Sequence, residues 1–188
     1  MWIDRVVELV PRQRLVAVKN VSLAEDHLHD HFPATSARAA MPLMPAALMV
    51  EGMAQSAGIL VGHAEGFREK VILAKVSIAE FSRDVPPGFT IRYTATIKQM
   101  DAMGASTSGL VELIDPATGS VERIGQVDLM FSHIDQNMAG IAFPEHNFVF
   151  GESFKTLLRT SGVAIPGEDA SSSHPAPSHG APALGRVL

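Results

Sequence analysis

The stretch Asp26-His27-Leu28-His29-Asp30-His31-Phe32-Pro33 places three histidines at alternate positions, with two aspartates among them. In an extended strand His27, His29 and His31 would lie on one face, an arrangement that suits zinc. In an irregular loop two of them would face water as ordinary polar residues. A third reading gives one histidine a carboxyl partner. The candidate is Glu51, 20 positions beyond His31 and one of few ionisable groups in a long apolar run, with Gln55 one helical turn later on the same face. A carboxyl there either makes a core or capping hydrogen bond or, with its pKa raised by burial, donates a proton near neutral pH. The run begins at Pro45-Ala46-Ala47, where the free backbone N–H groups of a helix start would stabilise negative charge growing on a carbonyl oxygen. Together these groups suit removal of a proton beside a carbonyl and protonation of a leaving group.

The elements that must position them can be read from periodicity. Proline followed by Ala, Leu, Met, Glu and Gln predicts one long helix from Pro45 to about His63. Leu48, Met49, Val50, Met53, Ala54, Ala57, Ile59, Leu60 and Val61 occupy nearly every face of it, so other structure must wrap it. Arg5–Val10 and Arg14–Val21 read as a pair of strands around the turn Pro11-Arg12-Gln13. Lys70–Phe81, Phe89–Lys98, Ser106–Ile114 and Val121–Ile134 read as four more, separated by Pro86-Pro87-Gly88, Gly104 and Asp115-Pro116-Ala117-Thr118-Gly119. Phe89, Ile91, Tyr93, Ala95 and Ile97 alternate with polar residues, the period of a strand with one buried face. The expected architecture is α+β, a curved antiparallel sheet around a buried helix. Residues 1–135 form the expected domain, 136–164 an extension with a short amphipathic helix at Glu152–Thr160, and 165–188 a Pro/Ala/Ser-rich tail expected to be disordered.

Composition narrows the function classes. At 46% apolar residues the chain is of globular type, and a net charge of -5 without long runs of one sign gives no footprint for nucleic acid or an anionic membrane. The longest apolar region is interrupted by Glu51 and Gln55, which argues against a membrane span, and the N-terminus lacks the pattern of a signal peptide. The chain has no cysteine, so it has neither disulfides nor thiolate metal ligands, and a soluble, cytoplasmic protein is expected. No dinucleotide-type glycine-rich phosphate loop is present.

From about Ile3 to His133 the chain resembles the β-hydroxyacyl-acyl-carrier-protein dehydratases of fatty acid synthesis, of the FabZ-like type. The resemblance runs through Ile3-Asp4-Arg5-Val6-Val7-Glu8-Leu9, Val16-Ala17-Val18-Lys19-Asn20-Val21 and His31-Phe32-Pro33. It continues through Pro42-Leu43-Met44-Pro45, Leu48-Met49-Val50-Glu51-Gly52-Met53-Ala54-Gln55 and Ala79-Glu80-Phe81-Ser82-Arg83-Asp84-Val85-Pro86-Pro87-Gly88.

The resemblance implies a hotdog fold, a homodimer with active sites at its interface, and no metal, nucleotide or flavin cofactor; a trimer of dimers is common in this kind of enzyme. It implies His31 as catalytic base and Glu51 as catalytic carboxyl, from different subunits, with His27 and His29 as bystanders. Ala46 and Ala47 would hold the enolate oxygen, and Gln55 would either orient Glu51 or bond in the core. The substrate would be a 3-hydroxyacyl chain on the phosphopantetheine arm of acyl carrier protein, converted to the trans-2-enoyl thioester. Alternatives on the same fold are a thioesterase, an enoyl hydratase, or a non-catalytic subunit that binds acyl chains or carrier protein. Asp30, Ala34 and Ala46 stand where the family usually has glycine. The connection from Ala34 to Met41 is longer than the family's by roughly six residues, an insertion that costs little if it bulges outward.

Overall fold

The first strands follow directly from the β-branched runs. β1 (Arg5–Val10) and β2 (Arg14–Asn20) form an antiparallel hairpin. Its turn places Arg12 in the left-handed region, at φ 61°, and the guanidinium donates to the Ala64 carbonyl at 3.1 Å at the end of the long helix. These contacts come from the computed structural model of the chain, which describes residues 1–134, 144 and 146–165. The expected boundary at residue 135 and the tail from 166 onward lie outside the described residues.

After a short helix α1 (Asp26–His29) and the long helix α2 (Ala46–Ala64) come β3 (Val71–Phe81), β4 (Thr90–Met100), β5 (Gly104–Ile114) and β6 (Val121–His133). The six strands make one antiparallel sheet in the order β1-β2-β4-β5-β6-β3. The expected alternation on β4 is present, with Ile91, Tyr93 and Ala95 fully buried. Those side chains meet Met49, Met53, Ala57 and Leu60 of α2 in one core.

The fit between helix and sheet depends on small residues. A Cβ at Gly52 of α2 would lie 2.6 Å from the Tyr93 ring, and one at Gly109 of β5 would lie 2.5 Å from the Met53 sulfur. Tyr93 has no room to retreat, since it is fully buried. Burial pushes its phenol pKa well up, with the Asp4 charge adding to the effect.

Two features differ from expectation. The histidine stretch is neither extended nor irregular at first: Asp26–His29 forms one helical turn, started by Glu25 and held by the buried Leu28. The wrapping of α2 is also one-sided. Ala47, Glu51, Gln55 and Gly58 lie along a stripe that stays at least partly open. At the sheet edge, β3 exposes Ile72, Leu73, Val76 and Ile78 by 36 to 42%.

Beyond the sheet, α3 (Glu152–Thr160) lies against β1, and Ser161 Oγ accepts the Val6 N–H at 3.0 Å. Asn147 donates to the Phe67 and Glu69 carbonyls at 2.9 Å each, and Phe150 sits against Gly62 where a Cβ would clash. His63, in the last turn of α2, lies edge-on to Phe67 at 5.9 Å with its Nδ1 buried and unpartnered. Burial lowers its pKa from the ordinary histidine value.

Three outcomes follow. Gly52→Ala should cost about 1–3 kcal/mol in urea unfolding, because the added methyl meets an aromatic ring that cannot move. Gly58→Ala meets only Phe131, at 3.7 Å, and should instead gain roughly 0.5–1 kcal/mol from helix propensity. A depressed histidine pKa contributes stability that is present above 6.5 and lost as pH falls through the folded value. His63→Gln should therefore remove part of the acid-side fall in unfolding midpoint.

Candidate active site

His31 follows the single turn of α1 and is half-buried. Its Nδ1 lies 2.8 Å from the Leu28 carbonyl, and since a carbonyl only accepts, Nδ1 carries the proton. In the neutral ring Nε2 then carries the lone pair, the state a general base requires. Its sequence neighbours turn elsewhere. His29 Nδ1 pairs with Asp30 at 3.2 Å on the surface, while His27 lies 3.7 Å from Glu25 and edge-on to Trp2 at 5.1 Å. The three imidazoles thus have three different surroundings, and the shared face of an extended strand is not formed.

The start of α1 is fixed by a buried cation. Lys19, 5% exposed, donates to Asp4 Oδ1 at 3.1 Å and to Glu25. Burial alone would lower the ammonium's pKa, but the hydrogen bonds and charges of Glu25 and Asp4 outweigh it and raise the value. The Lys19–Glu25 contact therefore holds the entry to the His31 segment.

Glu51 sits on the open stripe of α2, half-buried. Gln55 donates from Nε2 to Glu51 Oε1 at 3.0 Å, and its own Oε1 accepts the Trp2 backbone N–H at 2.8 Å. The amide is thus fixed at both ends, and Oε2 is the Glu51 oxygen left available. Gln55 therefore touches Glu51 through its nitrogen and the Trp2 backbone through its oxygen. Sequence pattern could not reveal Trp2 or Leu28 here, because both act through backbone atoms.

At the head of α2 the Pro45 carbonyl accepts the N–H groups of Leu48 and Met49, at 2.9 and 3.2 Å. Pro45 has no side-chain cap to offer, and Ala46 and Ala47 lie exposed with their N–H groups outside the helix ladder. Met44, buried, ties this approach to the connection between β3 and β4 through a 2.8 Å bond to the Val85 carbonyl. Within one protomer His31 and Glu51 are joined by no hydrogen bond or ion pair.

The inserted connection folds back on itself. Met41 N–H donates to the Phe32 carbonyl at 3.0 Å, and Thr35 pairs with Arg38 farther out. Arg38 lies 5.3 Å over the ring of Phe32, which is 69% exposed. The extra residues form a closed arm whose ends meet, so the path from His31 to α2 stays short.

A curved antiparallel sheet around one long helix is the hotdog fold. Its likeness to a solved acyl-CoA hydrolase of Staphylococcus aureus, bound to butyryl coenzyme A and coenzyme A, has a TM-score of 0.51 at 14% identity. That likeness covers 80% of this chain and 83% of the other, and at such identity it concerns the fold alone. Residues 1–113 match the FabA-like domain. A 3-hydroxyacyl-[acyl-carrier-protein] dehydratase FabZ of Rickettsia bellii is 39% identical over 104 residues, 54% of this chain and 68% of that protein. A FabZ dehydratase of Alkalilimnicola ehrlichii is 37% identical, covering 53% and 63%. The chain belongs to the FabA-like family and is a relative of the FabZ dehydratases.

Because the arm closes on itself at Phe32 and Met41, replacing residues 34–40 by one glycine should shift the unfolding free energy by no more than about 0.5 kcal/mol. Nitrogen NMR of the His31 ring should still report a protonated Nδ1.

Proposed function

We propose that the chain is a 3-hydroxyacyl-[acyl-carrier-protein] dehydratase that forms trans-2-enoyl thioesters in fatty acid biosynthesis. The observation that carries this reading is His31, held through Nδ1 so that Nε2 is the free base, within the stretch that matches the FabA-like domain. In the proposed reaction Nε2 removes a proton from the carbon beside the thioester carbonyl. The electron pair moves onto the carbonyl oxygen, which accepts hydrogen bonds from the Ala46 and Ala47 N–H groups. As the pair returns to form the C2–C3 double bond, the 3-hydroxyl takes a proton from Glu51 Oε2 and leaves as water. Return of the proton from His31 to Glu51 closes the cycle, and no cofactor takes part.

The site is read as shared in a homodimer, His31 from one protomer and Glu51 from its partner. Two observations support that reading: no bond joins the two residues within one chain, and both the α2 stripe and the β3 edge are open. No helix among the described residues is long and apolar enough to cross a membrane. A cytoplasmic location and acyl carrier protein as substrate carrier accompany the proposal.

The test is enoyl absorbance in both directions on a 3-hydroxyacyl thioester and its product. Wild type should turn over, while His31→Ala and Glu51→Gln should each lose about a hundredfold or more in kcat. Release of free coenzyme A or pantetheine thiol would identify a thioesterase instead. A folded dimer with no turnover on carrier-protein or coenzyme A thioesters would identify a binding subunit.

A further inference from the structure

Trp2 touches both halves of the proposed machinery through two different parts of itself. Its backbone N–H donates to Gln55 Oε1 at 2.8 Å, and Gln55 Nε2 donates to Glu51 Oε1 at 3.0 Å. An N–H can only donate, so this bond decides which end of the Gln55 amide faces the carboxyl. With the amide reversed, two NH groups would oppose each other at Trp2 and two oxygens at Glu51. The indole meanwhile lies edge-on to His27 at 5.1 Å and 76°. His27 belongs to α1, whose Leu28 carbonyl holds His31 Nδ1.

The chain around Trp2 is itself fixed. Ile3 is 1% exposed, and the Asp4 N–H donates to the Val18 carbonyl at 2.8 Å. Asp4 also accepts from Lys19, the cation that holds Glu25 at the start of α1.

We propose that Trp2 is a positioning residue for the dehydration, setting the Glu51 carboxyl through Gln55 and the His31 segment through His27. The inference rests on the dehydratase reading above. It also gives His27 a part that a bystander would not have.

Three variants separate the two contacts. Trp2→Phe keeps the N–H and an aromatic edge, Trp2→Ala keeps only the N–H, and Trp2→Pro keeps neither. Expected kcat is near wild type for Phe, about tenfold lower for Ala and about a hundredfold lower for Pro, with KM within about twofold throughout. The decisive measurement is a double-mutant cycle. If the N–H acts through Gln55, Trp2→Pro should cost no more in a Gln55→Ala background than Trp2→Ala does. Full additivity would overturn the proposal and is what a merely structural role predicts.

Trp2 is the chain's single tryptophan, so its emission reports the ring contact directly. His27→Ala should change that emission in the folded protein, and an unchanged spectrum would overturn the ring half of the proposal. Unimpaired kcat in the Trp2 variants, with His31→Ala and Glu51→Gln inactive, overturns the positioning role alone. Full activity in those last two variants overturns the dehydratase reading and this inference with it.

Discussion

Helix α2 carries apolar side chains around nearly all of its circumference, and keeping them from water is the demand the remaining structure meets. The concave side of the six-stranded sheet covers Met49, Met53, Ala57 and Leu60, and the segment from Asn147 to Ser161 closes over the helix's far end. Close approach is possible only because Gly52 and Gly109 leave room for Tyr93 and Met53. The sheath ends along one stripe, and Glu51 and Gln55 are found there, while Ser56 on the buried side returns its hydroxyl to the Gly52 carbonyl at 2.8 Å. A carboxyl placed on the sheathed side would have to shed its hydration with nothing offered in return. The position of the acid is therefore a consequence of where the sheet stops.

Much of this was legible from periodicity, because periodicity records burial. β4 from Thr90 to Ala95 and β5 along its whole length alternate in burial, each with one face on the core, and the long helix announced itself by composition and length. β3 is the instructive contrast. Lys70–Phe81 reads as a strand and its first half, Val71-Ile72-Leu73-Ala74-Lys75-Val76, is mostly apolar, yet most of it is exposed in the protomer. Hydrophobicity reports that a surface is to be covered without saying by what, and β3, paired only with β6, has no neighbour on its other side within its own sheet.

The site was less legible for a different reason. A single helical turn such as Asp26–His29 cannot sustain itself, since nucleation fixes several residues for one hydrogen bond. It forms here because Leu28 is buried and Lys19 grips Glu25, and both causes lie outside the four residues. The arm between Phe32 and Met41 has no glycine at its turn to advertise a hairpin, and only the backbone pairing reveals it. Side-chain identity in the motif pointed to His31 and Glu51, but the means of holding them could not be read from side chains.

The two groups are held in the same manner. His31 commits Nδ1 to the Leu28 carbonyl and keeps Nε2 free; Glu51 commits Oε1 to Gln55 and keeps Oε2 free. In each case the holding chain ends on a backbone atom, the Leu28 carbonyl or the Trp2 N–H. Backbone groups carry no charge to titrate and cannot rotate away without moving the chain. A proton can thus arrive at or leave the free atom while the committed atom keeps its partner. The imidazole retains its Nδ1 proton in both states, and Glu51 Oε1 accepts from Gln55 whether the carboxyl is ionised or neutral. Such holding fixes direction without fixing protonation, which is the property the proposed acid and base must share to exchange roles and return to where they began.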